Sequence, residues 1–252
     1  MKWSFHERQK LSVAAIAGLI FAIVAALMAV SSGLGSRLNW WHFSVGFTLL
    51  KWGVYVGIAA VLLSLLGLFA SRPGGSRRGL PRSLLALIIS LPVVIMPLLW
   101  MNAAQSVPPI HDITTDTENP PQFDAILALR ANAPNSAEYG GKEIAAQQRQ
   151  AYPDIQPLEI SIAPEAAFTV ALKAVKELGW EIAAQNPQKG LIEATDTTFW
   201  FGFKDDVVIR IKPQNTRSRV DIRSVSRVGR SDVGTNAARI RAFIKAFRNN
   251  LD

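Results

Sequence analysis

The stretch LLALIISLPVVIMPLLWM, residues 84–101, divides this chain into an apolar part and a polar part. The stretch carries no charge, and its length suits the apolar core of a bilayer, which needs about 20 residues of helix. Pro92 and Pro97 predict a kink that neighbouring helices can accommodate. After Met101 the long apolar runs end. We therefore expect residues 84–101 to be the last membrane helix of the chain.

Two more apolar runs lie upstream, at residues 11–30 and 47–70. The first is uncharged throughout, and it is too long for a cleaved signal peptide, whose apolar region typically has about 7–15 residues. Residues 1–104 are therefore predicted to form a three-helix transmembrane region. Small side chains in the first run favour close helix packing: Ala14, Ala15, Gly18, Ala22, Ala25 and Ala26.

The basic residues predict the orientation of these helices. They cluster in the N-terminal tail and in the loop at 71–83, whereas the loop at 31–46 has only Arg37. The positive-inside rule then places the N-terminus in the cytoplasm and everything after Met101 outside. This pattern indicates a bacterial inner-membrane protein with a periplasmic domain. The basic residues of the tail are Lys2, Arg8 and Lys10.

The distribution of charge also excludes some functions. The net charge of +8 equals the excess of basic residues within residues 1–100, at the ends of the apolar runs, so it does not indicate nucleic-acid binding. No Asp, Glu or His lies within the three predicted spans. Because transport paths usually need such groups, we expect the spans to anchor the chain in the lipid bilayer.

Residues 105–157 are predicted to form a Pro-rich extended arm. The pairs at 108–109 and 120–121 favour polyproline conformation, and residues 101–157 carry seven acidic and three basic residues. Scattered apolar side chains indicate a segment laid along a domain rather than a loose tether. Short helices are expected at 123–131 and 142–150.

Residues 158–252 are predicted to form a soluble α+β domain. Alternation of apolar and polar residues predicts a strand at 158–162, and helical spacing follows over 164–178. A second helix is expected to begin at Ser231 or Asp232, which are good N-cap residues. The order indicates an antiparallel sheet with two main helices on one face. Between the helices we expect strands at 180–184, 190–197, 200–203 with 207–212 as one interrupted strand, and 219–226 beyond a turn at 213–216.

Two of these strands predict a basic face. Arg210 and Lys212 alternate with apolar residues in one strand, and Arg219 and Arg223 do so in the next. Paired as a hairpin, the strands would turn this face to solvent, where it would bind anionic headgroups, envelope polyanions or an acidic partner. The alternative is a merely solvated face, with Asp221 paired across the strands.

Two further groups of residues are weaker candidates. Arg227 precedes the last helix and would assist anion binding at its N-terminus, but Asp232 is expected to occupy that cap instead. Asp205 and Asp206 would act as acid and base in a hydrolase. Adjacent strand residues point apart, however, so salt bridges to Arg223 or Arg227 are the simpler interpretation.

Other chemistry lacks the residues it needs. The chain has no cysteine, and its three histidines, His6, His42 and His111, lie outside the predicted soluble domain. We therefore predict no metal site, no His-based triad and no cofactor. The aromatic run at 200–203 is expected to be mostly core, with one ring available for the membrane or a ligand.

Five blocks of sequence resemble the domain of unknown function 1499 family over about residues 108–248. They are TDTENPPQF, YPDIQPL, LGWEI, IEATDTTFWFGFKDDVVIRI and RSVSRVGRSDVGTNAARIRAF. The resemblance implies a membrane-anchored bacterial member of that family and no particular activity. If the signature blocks mark a working surface, the matching residues are Trp200, Phe203, Lys204, Asp205, Asp206, Ser224, Ser226, Arg227, Ser231, Asp232, Asn236 and Arg239.

Three functions follow as hypotheses. The first is a membrane-anchored binding or accessory protein whose periplasmic domain contacts another membrane or periplasmic protein, or an anionic membrane or envelope surface. The second is binding of a lipid or other amphiphile in a cavity between sheet and helices. The third is a hydrolase that uses Asp205 or Asp206.

Overall fold

A computed structural model describes residues 10–215 and 217–251 of the chain. They fall into two compact units, one ending at Asn102 and the other beginning at Ala103. Several residues used in the sequence analysis lie outside the described residues: Lys2, His6, Arg8 and Thr216.

The first unit consists of three long helices, α1 (Val13–Arg37), α2 (Phe43–Ala70) and α3 (Leu80–Gln105). Each is long and apolar enough to cross a membrane, so the prediction of three membrane helices is confirmed. The helix α3 continues through Pro92 and Pro97.

Small residues allow α1 and α2 to pack closely. Gly18 of α1 lies against Ser64 of α2, so that a methyl group on Gly18 would be 2.7 Å from the Ser64 Oγ atom. Gly67 of α2 lies against the backbone of Ala15 in the same way, with 2.9 Å to an added methyl group. Close approach of this kind supplies the van der Waals contact that holds helices together in lipid.

The second unit is an α+β domain, as predicted. Its elements are β1 (Asp112–Thr114), α4 (Ile126–Leu129), α5 (Gly141–Ala151), β2 (Leu158–Ile160), α6 (Pro164–Glu177), β3 (Glu181–Asn186), β4 (Leu191–Thr197), β5 (Lys204–Gln214), β6 (Arg217–Ser226) and α7 (Thr235–Asn249).

The strands form one antiparallel sheet in the order β1-β6-β5-β4-β3, and β2 also pairs with β6. The two short strands β1 and β2 lie one after the other along the same edge of β6, opposite residues 223–225 and 218–220. The strand β1 was not predicted from the sequence. The prediction of strand structure at 200–203 was wrong, because these residues lie in a turn. The strand β5 instead runs without interruption through Asp205 and Asp206.

One face of the sheet, the helix face, is closed by apolar packing. Alternate residues of β5 and β6, such as Ile209 and Ile222, are buried under α6 and α7. Trp180 stacks on Phe243 of α7 at 6.2 Å between ring centroids. Each large apolar side chain buried here stabilises the fold by about 1.5–3 kcal/mol.

The opposite face, the arm face, is covered by the arm. Its apolar contacts are few: Phe123 and Ile126 of the arm pack against Val208 and Val225 of the sheet. Leu191 of the sheet and Ala137 of the arm pack beside them, and most of the other side chains on this face are charged.

Candidate functional site

The predicted basic face lies on the arm face, and Arg223 is at its centre with no exposed surface. Its Nε and Nη2 atoms donate to the two carboxylate oxygens of Asp112 at 2.9 and 2.7 Å. Its remaining donors reach the carbonyl oxygens of Pro121 and Ala137. The guanidinium also lies 5.3 Å from the ring centroid of Phe123. Arg223 is thus fully engaged by the arm.

Arg210 and Arg219 share two carboxylates in the same way. The Nη2 atom of Arg210 donates to Asp221 at 2.8 Å and to Asp116 at 3.1 Å. Arg219 donates to the same two groups, at 3.1 and 2.8 Å. The expected pairing of Asp221 across the strands is confirmed, and Asp116 of the arm completes it. Lys212, by contrast, is exposed.

Asp206 accepts from both an arm residue and a sheet residue. Arg130 of the arm donates at 2.7 Å, and Arg227 donates through its Nε and Nη2 atoms at 2.8 Å each. Burial pushes the pKa of Asp206 upward, but hydrogen bonds from Arg227, Thr195 and Arg130 outweigh burial and hold that pKa below its usual value. The predicted bridge to Arg227 is therefore present, whereas Arg223 pairs elsewhere.

Glu193 of β4 completes the set by capping α4. Its carboxylate is 2% exposed and accepts from the backbone N–H groups of Asp124 and Ile126, the latter at 2.7 Å. A carboxylate at a helix N-terminus satisfies backbone donors that otherwise lack partners.

Together these groups form what we call the arm-face network. It consists of five arginines and five carboxylates, so its formal charges cancel: Arg130, Arg210, Arg219, Arg223 and Arg227 with Asp112, Asp116, Glu193, Asp206 and Asp221. The prediction of a solvent-facing basic face was wrong, because the arm covers this face and carboxylates of both the arm and the sheet neutralise it.

A second network lies on the helix face. Arg239 of α7 donates to Asp205 at 2.7 Å and to Asp196 at 2.8 Å. It also donates at 2.6 Å to the Asn236 side-chain oxygen, which accepts from Ser224 as well. Burial raises the pKa of Asp205, against the effect of Arg239. Asp205 and Asp206 thus point to opposite faces, as expected, and neither is accessible.

The turn between β4 and β5 presents exposed aromatic side chains. Thr198 closes it, since its hydroxyl accepts from Phe203 N at 2.9 Å and its backbone N–H donates to Phe203 O at 2.8 Å. Phe201 is buried and stacks on Phe203 at 5.4 Å. Phe199 is 84% exposed. The half-buried Trp200 has an indole N–H with no acceptor among the described residues.

The loop from β6 to α7 lies at the same end of the sheet. Arg227 N donates to Lys204 O at 3.0 Å, which brings the start of this loop beside the start of β5. Lys204 and Arg230 are exposed, and Val233 is 42% exposed. We call this end of the domain, formed by residues 198–204 and 227–233, the aromatic end.

Val233 has a strained backbone, with φ at +55°. For a β-branched residue this conformation is a rare outlier. Asp232 holds it there, since its two carboxylate oxygens accept from Gly234 N and Asn236 N at 2.9 and 2.6 Å. The predicted N-cap at Ser231 or Asp232 was wrong, because α7 begins at Thr235 and its N-cap is Gly234. Asp232 nevertheless satisfies a backbone donor of the first turn, Asn236 N. Burial raises the pKa of Asp232, against the effect of these hydrogen bonds.

The family-motif residues therefore do not form a single surface. Six of them are buried in the two networks: Asp205, Asp206, Ser224, Ser226, Asn236 and Arg239. Those that keep solvent exposure, all at the aromatic end, are Trp200, Phe203, Lys204, Arg227, Ser231 and Asp232. Phe199 and Val233 join them there and were not singled out as site residues. The run Phe-Trp-Phe-Gly-Phe at 199–203 was the available signal for this site.

Comparison with known proteins gives one result about the soluble domain. A family model described as protein of unknown function (DUF1499) matches residues 112–247, which span the sheet from β1 onward and most of α7. A search of curated proteins finds no match.

Proposed function

The chain belongs to the DUF1499 family of proteins of unknown function, and from that premise we propose that it is a membrane-anchored binding protein that docks through its aromatic end. The three apolar helices serve as its anchor. The soluble domain presents a fixed contact surface to another envelope component.

The exposure of Phe199 carries this proposal. A phenylalanine that is 84% exposed on a closed turn leaves a large apolar group in contact with water. Its ring lies 6.4 Å from that of Trp200, so the exposed group is part of an aromatic pair. The neighbouring Trp200 and Lys204 belong to the family motif and also keep solvent exposure. Aromatic side chains such as these are enriched at binding surfaces.

The two other hypotheses find less support in the geometry. The space between the sheet and helices α6 and α7 is filled by Phe168, Phe243 and Phe247, each at most 8% exposed, which leaves little room for an amphiphile. Asp205 and Asp206 are each held by buried arginines on opposite faces, so they do not converge on one substrate.

We further propose that the soluble domain lies in the periplasm and the N-terminus in the cytoplasm of a bacterial inner membrane. The exposed basic residues of the loop between α2 and α3 support this orientation. Because the chain has no cysteine, single cysteines can be labelled without background. In intact cells, a membrane-impermeant maleimide should label Ser161→Cys and spare Ser76→Cys, two exposed positions in the two units. The reverse labelling pattern would show that the chain has the opposite orientation, with the soluble domain in the cytoplasm.

The docking proposal is tested by photocrosslinking in cells. A benzophenone amino acid at position 199 should give adducts with a lipid or a defined protein. The same amino acid at position 212 is the matched control, because Lys212 is also exposed but lies toward the far end of β5. Equal or absent adducts at the two positions would overturn docking through the aromatic end.

A further inference from the structure

We propose, on the basis of the proposed function, that the aromatic end docks on the lipid bilayer itself, with Phe199 inserted among the acyl chains. Lys204 and Arg230 would then meet the phosphates of anionic headgroups. This inference names the occupant of the site, and a protein partner becomes the rival outcome of the test.

The place where the chain enters the soluble domain favours docking on the bilayer. His111 O accepts from Ser226 N at 3.0 Å, and Ile110 O accepts from Asp232 N at 3.2 Å. The chain therefore joins the sheet at the aromatic end. The helix α3 ends at Gln105, and the extended connection from there to Ile110 spans at most about 18 Å.

The width of the sheet adds little to this distance. From β1 the strands β6 and β5 follow in order, and β5 begins directly after the aromatic turn. Neighbouring strands are about 4.8 Å apart, so the turn lies about 10–15 Å across the sheet from the entry point. The aromatic end is thus the end of the sheet that the short connection from α3 enters, whereas the β5–β6 hairpin lies at the opposite end of these strands.

The side chains of the aromatic end are of the kinds that bind lipid. Phenylalanine transfers favourably into lipid, and tryptophan prefers the interface between acyl chains and water. Thr198 and the buried Phe201 fix the turn, so Phe199 can insert without ordering a flexible loop. Val233, exposed and held in its strained conformation, supplies a second apolar contact at the same end.

Charged side chains at the aromatic end also favour an anionic bilayer. Lys204 and Arg230 are exposed, and Arg227 is partly exposed but paired with Asp206. Two carboxylates at this end keep some exposure: Glu181 at the start of β3, and Asp232, whose oxygens accept from Gly234 N and Asn236 N. What favours anionic lipid is therefore the position of Lys204 and Arg230 beside the aromatic turn, and not a net positive charge of this end.

The test measures the depth of the aromatic end in a bilayer, with the label at position 233 so that Phe199 is kept. The full chain with Val233→Cys carries a nitroxide and is reconstituted into phosphatidylcholine vesicles with or without phosphatidylglycerol. We expect collisions with oxygen to exceed those with a polar nickel complex several-fold more at 233 than at a Lys212→Cys control. The contrast should grow with phosphatidylglycerol and shrink in the Lys204→Glu, Arg230→Glu background.

The outcomes separate the two proposals. A label at 233 that is as water-accessible as the label at 212 overturns insertion into lipid. If protein adducts still form at 199 in cells, the proposed docking role survives with a protein partner. If the adducts are also absent, both proposals fail. Phe199→Ser with the label at Val233→Cys gives an independent reading, since loss of the phenylalanine should also lift position 233 out of the interface.

Discussion

The two faces of this sheet are built from alternate residues of the same strands and are closed by opposite means. On the helix face, Ile209 and Ile222 pack against apolar helices. On the arm face, Arg210 and Arg223 are matched by carboxylates of the arm and the sheet. Apolar packing is non-directional and tolerates repacking, whereas a buried ion pair fails when one member is lost. The contacts between the arm and this face are therefore sensitive to the loss of a single charged partner.

The largest effect should come from removing one large side chain on either face. Phe243→Ala and Arg223→Ala should each lower the free energy of unfolding by about 3–5 kcal/mol. Phe243→Ala opens the apolar core, so amide exchange should rise throughout the sheet. Arg223→Ala leaves Asp112 buried without its cation, so exchange should rise first in the arm. Hydrogen–deuterium exchange of the full chain in nanodiscs measures both.

Lys212→Ala is the matched control for Arg223→Ala. Both residues are basic strand residues of the same hairpin, but Lys212 is exposed and should change stability by at most about 0.5 kcal/mol. Unchanged exchange in the arm of Arg223→Ala would show that the ion pair does not hold it.

The two faces can also be compared by measuring how stability depends on pH, because Asp206 lies on the arm face and the adjacent Asp205 on the helix face. Asp206→Asn should cost about 3 kcal/mol at neutral pH, because it leaves Arg130 and Arg227 without their carboxylate. The pKa of Asp206 is lowered on folding, so its contribution is complete above about pH 3.8 and is lost as the pH falls through the folded value. The deficit of Asp206→Asn should therefore shrink in acid.

Asp205→Asn should show the opposite slope. Burial raises the pKa of Asp205, so the wild-type protein gains stability as the pH falls from that raised value towards 3.8. The deficit of Asp205→Asn should therefore grow over that range. Urea unfolding of the full chain in nanodiscs at successive pH values measures both slopes, and parallel slopes would refute the assignment.

Among the variants of the buried ion pairs, the smallest effect is expected when both members of a pair are replaced. Asp112→Leu combined with Arg223→Met removes the buried charges together, which is often neutral or stabilising. The carbonyl groups of Pro121 and Ala137 lose a donor in this variant, at about 1 kcal/mol each. We expect a net loss below about 2 kcal/mol by urea unfolding, well under that of Arg223→Ala. A loss as large as that of the single variant would mean that the charges themselves are needed.

The sequence predicted those parts of the fold that depend on local pattern. The apolar spans, the spacing of α6 and α7 and the alternation that puts Arg210 and Arg223 on one face are readable from neighbouring residues. The strand β1 has only three residues, Asp112–Thr114, and it exists because β6 pairs with it across a long stretch of chain. Asp205 and Asp206 interrupt the apolar pattern of β5, and only their distant arginines allow the strand to continue.

The covering of the arm face by the arm could not be predicted from local sequence pattern either, because it depends on contacts between residues far apart in the chain. What lies over Arg223 is decided by a segment that precedes it by about a hundred residues in the sequence. The charges of the two segments gave one indication of this contact, since the acidic excess of residues 101–157 equals the basic excess of residues 158–252. Equal and opposite charge on adjoining segments predicts that they pair, although it does not identify the partners.

The pairing of β1 with β6 has a consequence for synthesis. The first strand of the domain finds its neighbour only when residues 223–225 have left the ribosome. At about 5–20 residues per second, the intervening chain takes roughly 5–20 s to make. During that interval the acidic arm has been translated but has no sheet to cover. Folding of the domain is therefore tied to completion of the chain, and a truncated product that lacks β6 would leave its arm open to proteases.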